Sequence, residues 1–155
     1  MERINLRSVL GKAIQREEEA FAFYTALHDR IEDATARDTL QFLAAEEKKH
    51  REFLVAYRDG QKSLTALPVD AVVDYQLAQH LDAPDPDRDM ESSEVYLVAA
   101  HREMASHNFY KGLAALQPEG EVREVLKRMA AEELRHKEKV EYLYANTAFV
   151  QTAGG

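Results

Sequence analysis

The chain has 155 residues, which suffices for a single domain over residues 1–155 with one substantial core. Its composition, 45% hydrophobic and 31% charged, is that of a globular protein, and its net charge of −8 argues against nucleic acid or membrane partners. There is no cysteine, so disulfides, thiol catalysis and thiolate-bound zinc or iron–sulfur centres are excluded. No apolar run reaches bilayer-spanning length and the N-terminal residues lack a signal-peptide core, so we expect a cytoplasmic protein.

Helical periodicity dominates the sequence and predicts an all-α protein. The first helix is expected from about residue 5 to residue 33. Its apolar face comprises Leu10, Ile14, Phe21, Leu27 and Ile31.

The second helix is expected to begin near Thr35, whose spacing to Asp38 resembles a capping box, and to end where glycine follows Asp59. The third helix should run from about Ser92 to the residues before Pro118. The fourth follows and should continue into the mid-140s.

Tight turns join the helices within two predicted hairpins, at about 5–58 and 92–147, so each pair should be antiparallel. Between the hairpins lies a long segment, 59–91, with a possible short helix over 70–81. Such a segment can cross the length of a bundle. The pattern predicts a ferritin-like four-helix bundle made of two pseudo-twofold hairpins with one long crossover, the alternative being an up-down bundle with a disordered loop.

The two hairpins repeat each other under a shift of 86 positions, which carries Ala44 onto Ala130. The sequence Ala-Ala-Glu-Glu-x-x-His occurs at 44–50 and again at 130–136. Two hairpins related by a pseudo-twofold axis would place equivalent residues opposite one another across the core.

Stepping along each helix by three and four residues places six polar side chains on the inward faces. These six are Glu17, Glu47, His50, Glu103, Glu133 and His136. By contrast Glu18, Glu46 and Glu132 fall toward the flanks, where we expect solvated charges.

Four carboxylates on inward faces would destabilise an ordinary core. Each unpaired buried charge costs several kcal/mol against a typical total stability of about 5–15 kcal/mol. Protonated carboxyl groups, pairing with Lys or Arg, or bound cations would resolve the conflict. We find no basic residue on the inward faces, and two divalent cations would balance four carboxylates, so we favour cations.

The ligand types narrow the choice of metal. Carboxylates and imidazoles without sulfur favour iron or manganese over structural zinc, and calcium rarely recruits imidazoles. The i, i+3 spacing of each Glu-x-x-His lets both side chains reach one ion. Two such motifs and two single glutamates form the di-iron or di-manganese carboxylate constellation, so we expect two iron ions, or manganese or a mixed pair.

Over residues 8–147 the sequence resembles the rubrerythrin branch of the ferritin-like superfamily. The motifs that carry the resemblance are Glu17-x-x-Ala20-x-x-Phe23-Tyr24, Glu47-x-x-His50, Glu103-x6-Tyr110 and Glu133-x-x-His136. The resemblance implies a bundle that houses two irons, with Glu47 and Glu133 as bridges. The more terminal ligands would be Glu17 with His50, and Glu103 with His136.

Two features depart from classical rubrerythrins. Those proteins carry a Cys-rich rubredoxin domain that delivers electrons, whereas this sequence contains no cysteine. They also carry an extra glutamate, associated with iron movement during peroxide reduction, where this chain has Ser106. The remaining six-residue set also resembles the ferroxidase centres of bacterioferritins.

Three further residues lie near the proposed ligands. Tyr24 and Tyr110 fall two turns from Glu17 and Glu103, and we expect their phenols to hydrogen-bond a ligand carboxylate, the alternative being ordinary core tyrosines. His107 could be a seventh ligand, although its counterpart in the repeat is a phenylalanine that we place in the core.

These features favour a non-haem di-iron oxidoreductase that acts on hydrogen peroxide or dioxygen, with peroxidase or ferroxidase chemistry and an external electron donor. The alternatives are an iron- or manganese-binding protein without turnover, such as a sensor, chaperone or partner-binding module, and a relic whose site fills adventitiously. A homodimer formed by the remaining helix faces is also possible.

Overall fold

Five α-helices make up most of the chain in this computed structural model, which describes residues 6–67, 77–85 and 90–153. They are α1 (Leu6–Arg30), α2 (Ala34–Arg58), α3 (Leu77–His80), α4 (Ser92–Ala115) and α5 (Glu121–Ala153), with one 3-10 turn at Leu64–Ala66. The described ranges contain no strand. Helix α1 packs along α2 and α4 along α5. The predicted all-α, ferritin-like bundle of two hairpins is confirmed.

The turn between α1 and α2 is capped by Asp33, not by the predicted pair of Thr35 and Asp38. The Asp33 carboxylate accepts a hydrogen bond of 2.9 Å from the backbone N–H of Ala36. Aspartate is among the strongest helix N-caps, so it starts α2 at Ala34 and leaves Thr35 inside the first turn.

The predicted stop of α2 is confirmed. Gly60 has a φ of 76°, a left-handed conformation that costs glycine little. Its N–H donates to the carbonyl of Tyr57 at 3.1 Å, and the N–H of Gln61 donates to Ala56 at 2.8 Å. These two bonds close the helix in a Schellman turn.

Helix α5 is longer than predicted and continues to Ala153 instead of ending in the mid-140s. No helix breaker follows Tyr144 until the two terminal glycines, so nothing in the sequence ends the helix earlier. Of the short helix predicted over 70–81, residues 70–76 lie outside the described residues and Leu77–His80 are helical.

The apolar core is divided into two clusters. One contains Leu27, Leu40 and Val98, and the other contains Leu10, Leu54 and Leu126. On each of the four long helices the inward glutamates and imidazoles lie between these clusters in sequence. A polar layer at mid-bundle is therefore enclosed by apolar side chains on both sides.

The placement of Phe21 in the core is wrong, because its side chain is 39% exposed. It lines a groove between α1 and α2 together with Ala44 and Ala45. Within the described part of the chain, none of the helices combines the length and apolar composition that a bilayer crossing demands.

Candidate metal centre

Six polar side chains from four helices meet in the middle of the bundle. They are Glu17 of α1, Glu47 and His50 of α2, Glu103 of α4, and Glu133 and His136 of α5. We call these six residues the acidic layer. Each is at most 5% exposed, which is unusual for glutamate. The structure thus brings together all six residues that the sequence placed on inward faces.

Their ligand atoms form two overlapping groups of four. One group contains Glu17 and His50, the other contains Glu103 and His136, and both contain Glu47 and Glu133. Within each group the ligand atoms lie within 4.8 Å of one another. The arrangement therefore offers two adjacent cation positions that share two carboxylates.

Both imidazoles turn Nδ1 toward the centre. His50 Nδ1 lies 3.1 Å from Glu133 Oε1 and 3.6 Å from Glu17 Oε1. His136 Nδ1 lies 3.2 Å from Oε1 of Glu47, but the geometry of this contact is not that of a hydrogen bond. The two rings stack with centroids 5.3 Å apart and planes 12° from parallel.

Several atoms of this layer are buried without a hydrogen-bond partner. They are one oxygen each of Glu17, Glu47, Glu103 and Glu133, and Nδ1 of His136. A buried carboxylate oxygen without a partner is costly in a protein interior. Carboxylate oxygens and imidazole nitrogens are donors that iron and manganese bind, and these ligand atoms lie close together, so the residues fit two such ions.

The titration behaviour shows how the layer is balanced without metal. Hydrogen bonds from neighbouring groups outweigh burial at Glu17, lowering its pKa to about 2, and at Glu103, whose pKa is also lowered. Burial and surrounding negative charge raise the pKa of Glu47 and Glu133 well above the usual value. At both imidazoles the neighbouring carboxylates outweigh burial and raise the pKa. These shifts favour protons on Glu47, Glu133 and both imidazoles, and they favour negative charge on Glu17 and Glu103, so protons and cations are alternative ways to offset the negative charge of the site.

Tyr24 and Tyr110 each donate a hydrogen bond to a glutamate of the opposite hairpin. The Tyr24 hydroxyl lies 2.9 Å from Glu103 Oε1, and the Tyr110 hydroxyl lies 2.5 Å from Glu17 Oε1. Burial and the nearby carboxylates raise the pKa of both phenols, so both remain protonated donors at neutral pH.

The expectation that Glu46 and Glu132 are solvated is wrong. Glu132 is only 7% exposed, and the side chain of Glu46 is 21% exposed. Each lies near the outer edge of an imidazole, and the contact with His136 lowers the pKa of Glu46 to about 2. Glu18 is exposed as expected and pairs with Arg51 at 2.8 Å.

His107 does not join the acidic layer. Its Nδ1 lies 2.7 Å from the carbonyl oxygen of Ala130, and its ring lines a groove between α4 and α5. This α4–α5 groove is equivalent in the repeat to the α1–α2 groove that Phe21 lines. The proposal of His107 as a seventh ligand is therefore not supported by its position.

A basic residue does occupy the interior, contrary to the expectation from the inward faces. Lys137 is fully buried and donates to Glu141 at 3.0 Å. The other oxygen of Glu141 accepts the backbone N–H of Ala78 at 2.8 Å. Lys137 thus neutralises a carboxylate that holds the crossover segment against α5.

The family model for rubrerythrin matches residues 8–144. This range includes every residue of the acidic layer. No curated protein and no solved structure matches the chain.

Proposed function

The chain belongs to the rubrerythrin family, and on that premise we propose that its acidic layer holds two iron ions and reduces hydrogen peroxide or dioxygen. Glu47 and Glu133 would bridge the ions, because both cation positions include them. The remaining four residues would be terminal ligands, Glu17 with His50 on one ion and Glu103 with His136 on the other. Manganese fits the same donors.

The observation that supports this proposal best is the set of buried carboxylate oxygens without hydrogen-bond partners. Ferrous ions bound there would supply the two electrons that convert hydrogen peroxide and two protons into two water molecules. Those electrons must be restored by an external donor, because a chain without cysteine carries no thiolate-bound iron centre.

The protein's own residues would position the ligands and exclude water. The phenols of Tyr24 and Tyr110 orient one oxygen of Glu103 and Glu17, leaving the other oxygen of each for metal. The apolar clusters on either side limit solvent access to the layer. Both effects pre-organise the donors before any ion binds.

A stopped-flow experiment tests the proposed reaction. Anaerobic protein loaded with ferrous iron is mixed with hydrogen peroxide, and peroxide loss and iron oxidation are followed together. We expect one peroxide consumed per two irons oxidised, with repeated cycles when reductant is added. The exposed-site variant Glu18→Ala should behave as wild type.

A second candidate function is metal binding without turnover, and Ser106 favours it. Ser106 stands where classical rubrerythrins have an extra glutamate, and its side chain is buried on the inward side of α4. Two irons bound per chain without peroxide or dioxygen consumption would establish this candidate and contradict the redox proposal.

A further inference from the structure

We propose that the α4–α5 groove binds an amphipathic organic anion, a medium-chain fatty acid, with its carboxylate at Arg123 and its chain along the apolar floor. The groove is separate from the acidic layer, so this inference does not depend on the proposed function. It concerns a surface in which the two hairpins differ.

The groove has the size of a small-molecule site. Its volume is about 510 Å³, within the range of about 300–1,000 Å³ that ligand pockets occupy. It follows α4 from His107 to Ala115, a helical span of about 12 Å. A medium-chain fatty acid in its extended form matches that length.

The floor of the groove is apolar and built mostly from small side chains. It consists of Ala114 and Ala115 of α4 and Ala130, Ala131 and Leu134 of α5. None of these side chains can form a hydrogen bond, and Nδ1 of His107 already lies 2.7 Å from the Ala130 carbonyl oxygen. A nucleotide or a sugar phosphate would leave hydroxyl groups without partners on this floor, whereas an acyl chain would not.

Three cations also line the groove, and no carboxylate does so among the described residues. They are Lys111, Arg123 and Lys127. None of the three makes an ion pair or hydrogen bond with another residue that the structure describes. The chain as a whole has a net charge of −8, so the groove is a local excess of positive charge.

Arg123 indicates what kind of group the groove accepts. Its Nε is buried and has no hydrogen-bond partner among the described residues, which is costly unless an acceptor reaches it. A carboxylate is an acceptor whose charge and planar geometry match a guanidinium. The anionic end of the ligand therefore belongs at Arg123, and the chain extends toward His107.

The equivalent α1–α2 groove lacks this excess of charge. In the 86-residue repeat the two lysines correspond to Thr25 and Gln41. Asp29 also lines the α1–α2 groove and offsets the charge of Lys48. Counting lysine, arginine and carboxylate side chains, the α1–α2 groove is neutral and the α4–α5 groove is positive. The first hairpin therefore provides an internal control.

The test is a titration of the purified protein with decanoate, followed by calorimetry and by NMR of the alanine methyl groups. Decanol, which lacks the charge, and acetate, which lacks the chain, are the comparison ligands. The variants are Arg123→Gln and Lys127→Gln. The matched control is Arg37→Gln, because Arg37 is the exposed equivalent of Arg123 in the first hairpin.

We expect decanoate to bind with a Kd of about 10–100 μM and to shift the methyl signals of the four alanines in the floor. Octanoate, a shorter homologue, should bind about 5–15-fold more weakly. Arg123→Gln should weaken decanoate binding by about 10–50-fold, and Lys127→Gln, which changes an exposed side chain, by about 2–5-fold. Arg37→Gln should bind as wild type does.

Several results would overturn the proposal. Equal binding of decanol would show that the cations play no part, and equal binding of acetate would indicate an adventitious ion only. Decanoate that fails to saturate, or that shifts Ala44 and Ala45 of the α1–α2 groove instead, contradicts it as well. An acidic helical peptide that binds in place of decanoate would assign the groove to a protein partner. If Arg123→Gln does not fold, the comparison rests on Lys127→Gln against Arg37→Gln.

Discussion

The α1–α2 hairpin and the α4–α5 hairpin meet at the acidic layer with equivalent residues, whereas their outer surfaces have diverged. Tyr24 of one hairpin and Tyr110 of the other make matching bonds across the centre. In the outer grooves, Phe21 of the first hairpin is replaced by His107 in the second. The repeat is kept among the six residues that could serve as donors to two cations, whereas the residue type differs at this position of the grooves.

The largest effect should come from residues that both cation positions share. Glu133→Ala removes a shared carboxylate, so metal content after iron loading should fall from about two ions per chain to nearly none. Glu103→Ala removes a donor from one position only and should leave about one ion. Metal analysis of the purified variants measures both. Equal losses in Glu18→Ala would show that the inner and outer faces have been assigned wrongly.

The acidic layer should also determine how the unfolding free energy of the metal-free protein depends on pH. Glu47 and Glu133 have raised pKa values, as do both imidazoles, so the folded state binds protons that the unfolded state releases. Their contribution to stability is complete below the unfolded pKa and is lost as pH rises. The unfolding free energy should fall by about 1.4 kcal/mol per pH unit for each such group between its unfolded pKa and its folded pKa.

Denaturant unfolding at about pH 5.5 and about pH 7.5 measures this fall, in the metal-free protein. The lowered pKa values of Glu17 and Glu103 act in the opposite sense, since the stability they contribute is lost only as pH falls below their ordinary pKa, toward about 2 for Glu17. Metal must displace the bound protons, so its affinity should rise over the same interval. A metal-free protein that gains stability between these two pH values would contradict the proposed proton balance.

A buried ion pair distinguishes the second hairpin from the first. Lys137 corresponds in the repeat to Arg51, whose pair with Glu18 is about half exposed. Lys137→Met leaves the carboxylate of Glu141 buried without its partner and should cost about 3–5 kcal/mol of unfolding free energy. Arg51→Met should cost less than about 1 kcal/mol. Similar losses in the two variants, measured by denaturant unfolding without metal, would remove this difference between the hairpins.

The smallest expected effect is the loss of a tyrosine hydroxyl, and it should be of similar size in the two hairpins. Tyr24→Phe and Tyr110→Phe each remove one hydrogen bond to a carboxylate, which is worth about 1.5–3 kcal/mol. The two losses of unfolding free energy should be similar, because the two tyrosines occupy equivalent positions in the repeat and each bonds a glutamate of the opposite hairpin. A loss confined to one variant would show that only one half of the centre is organised as the geometry indicates.

Helical periodicity is sufficient to identify the inward residues, because the inward face of each long helix repeats at a fixed angular step. It predicted the two hairpins and the convergence of the six polar side chains. It could not predict that Tyr24 bonds Glu103 and not Glu17, because that choice depends on how the hairpins sit against each other.

Residues at the edge of an inward face were the hardest to place. Glu132 was expected in solvent, yet it is buried and lies against His50 of α2 and Arg135 of its own helix. Phe21 was expected in the core but lies in an outer groove. A step of 100° per residue leaves such positions ambiguous, and only the neighbouring helix decides which of them are buried.

Anomalous diffraction at the iron edge, from crystals of protein loaded anaerobically with ferrous iron, tests the metal centre most directly. We predict two peaks inside the acidic layer, with Glu47 and Glu133 contacting both. A single peak among Glu46, His50 and His136, or no peak within the layer, would contradict it.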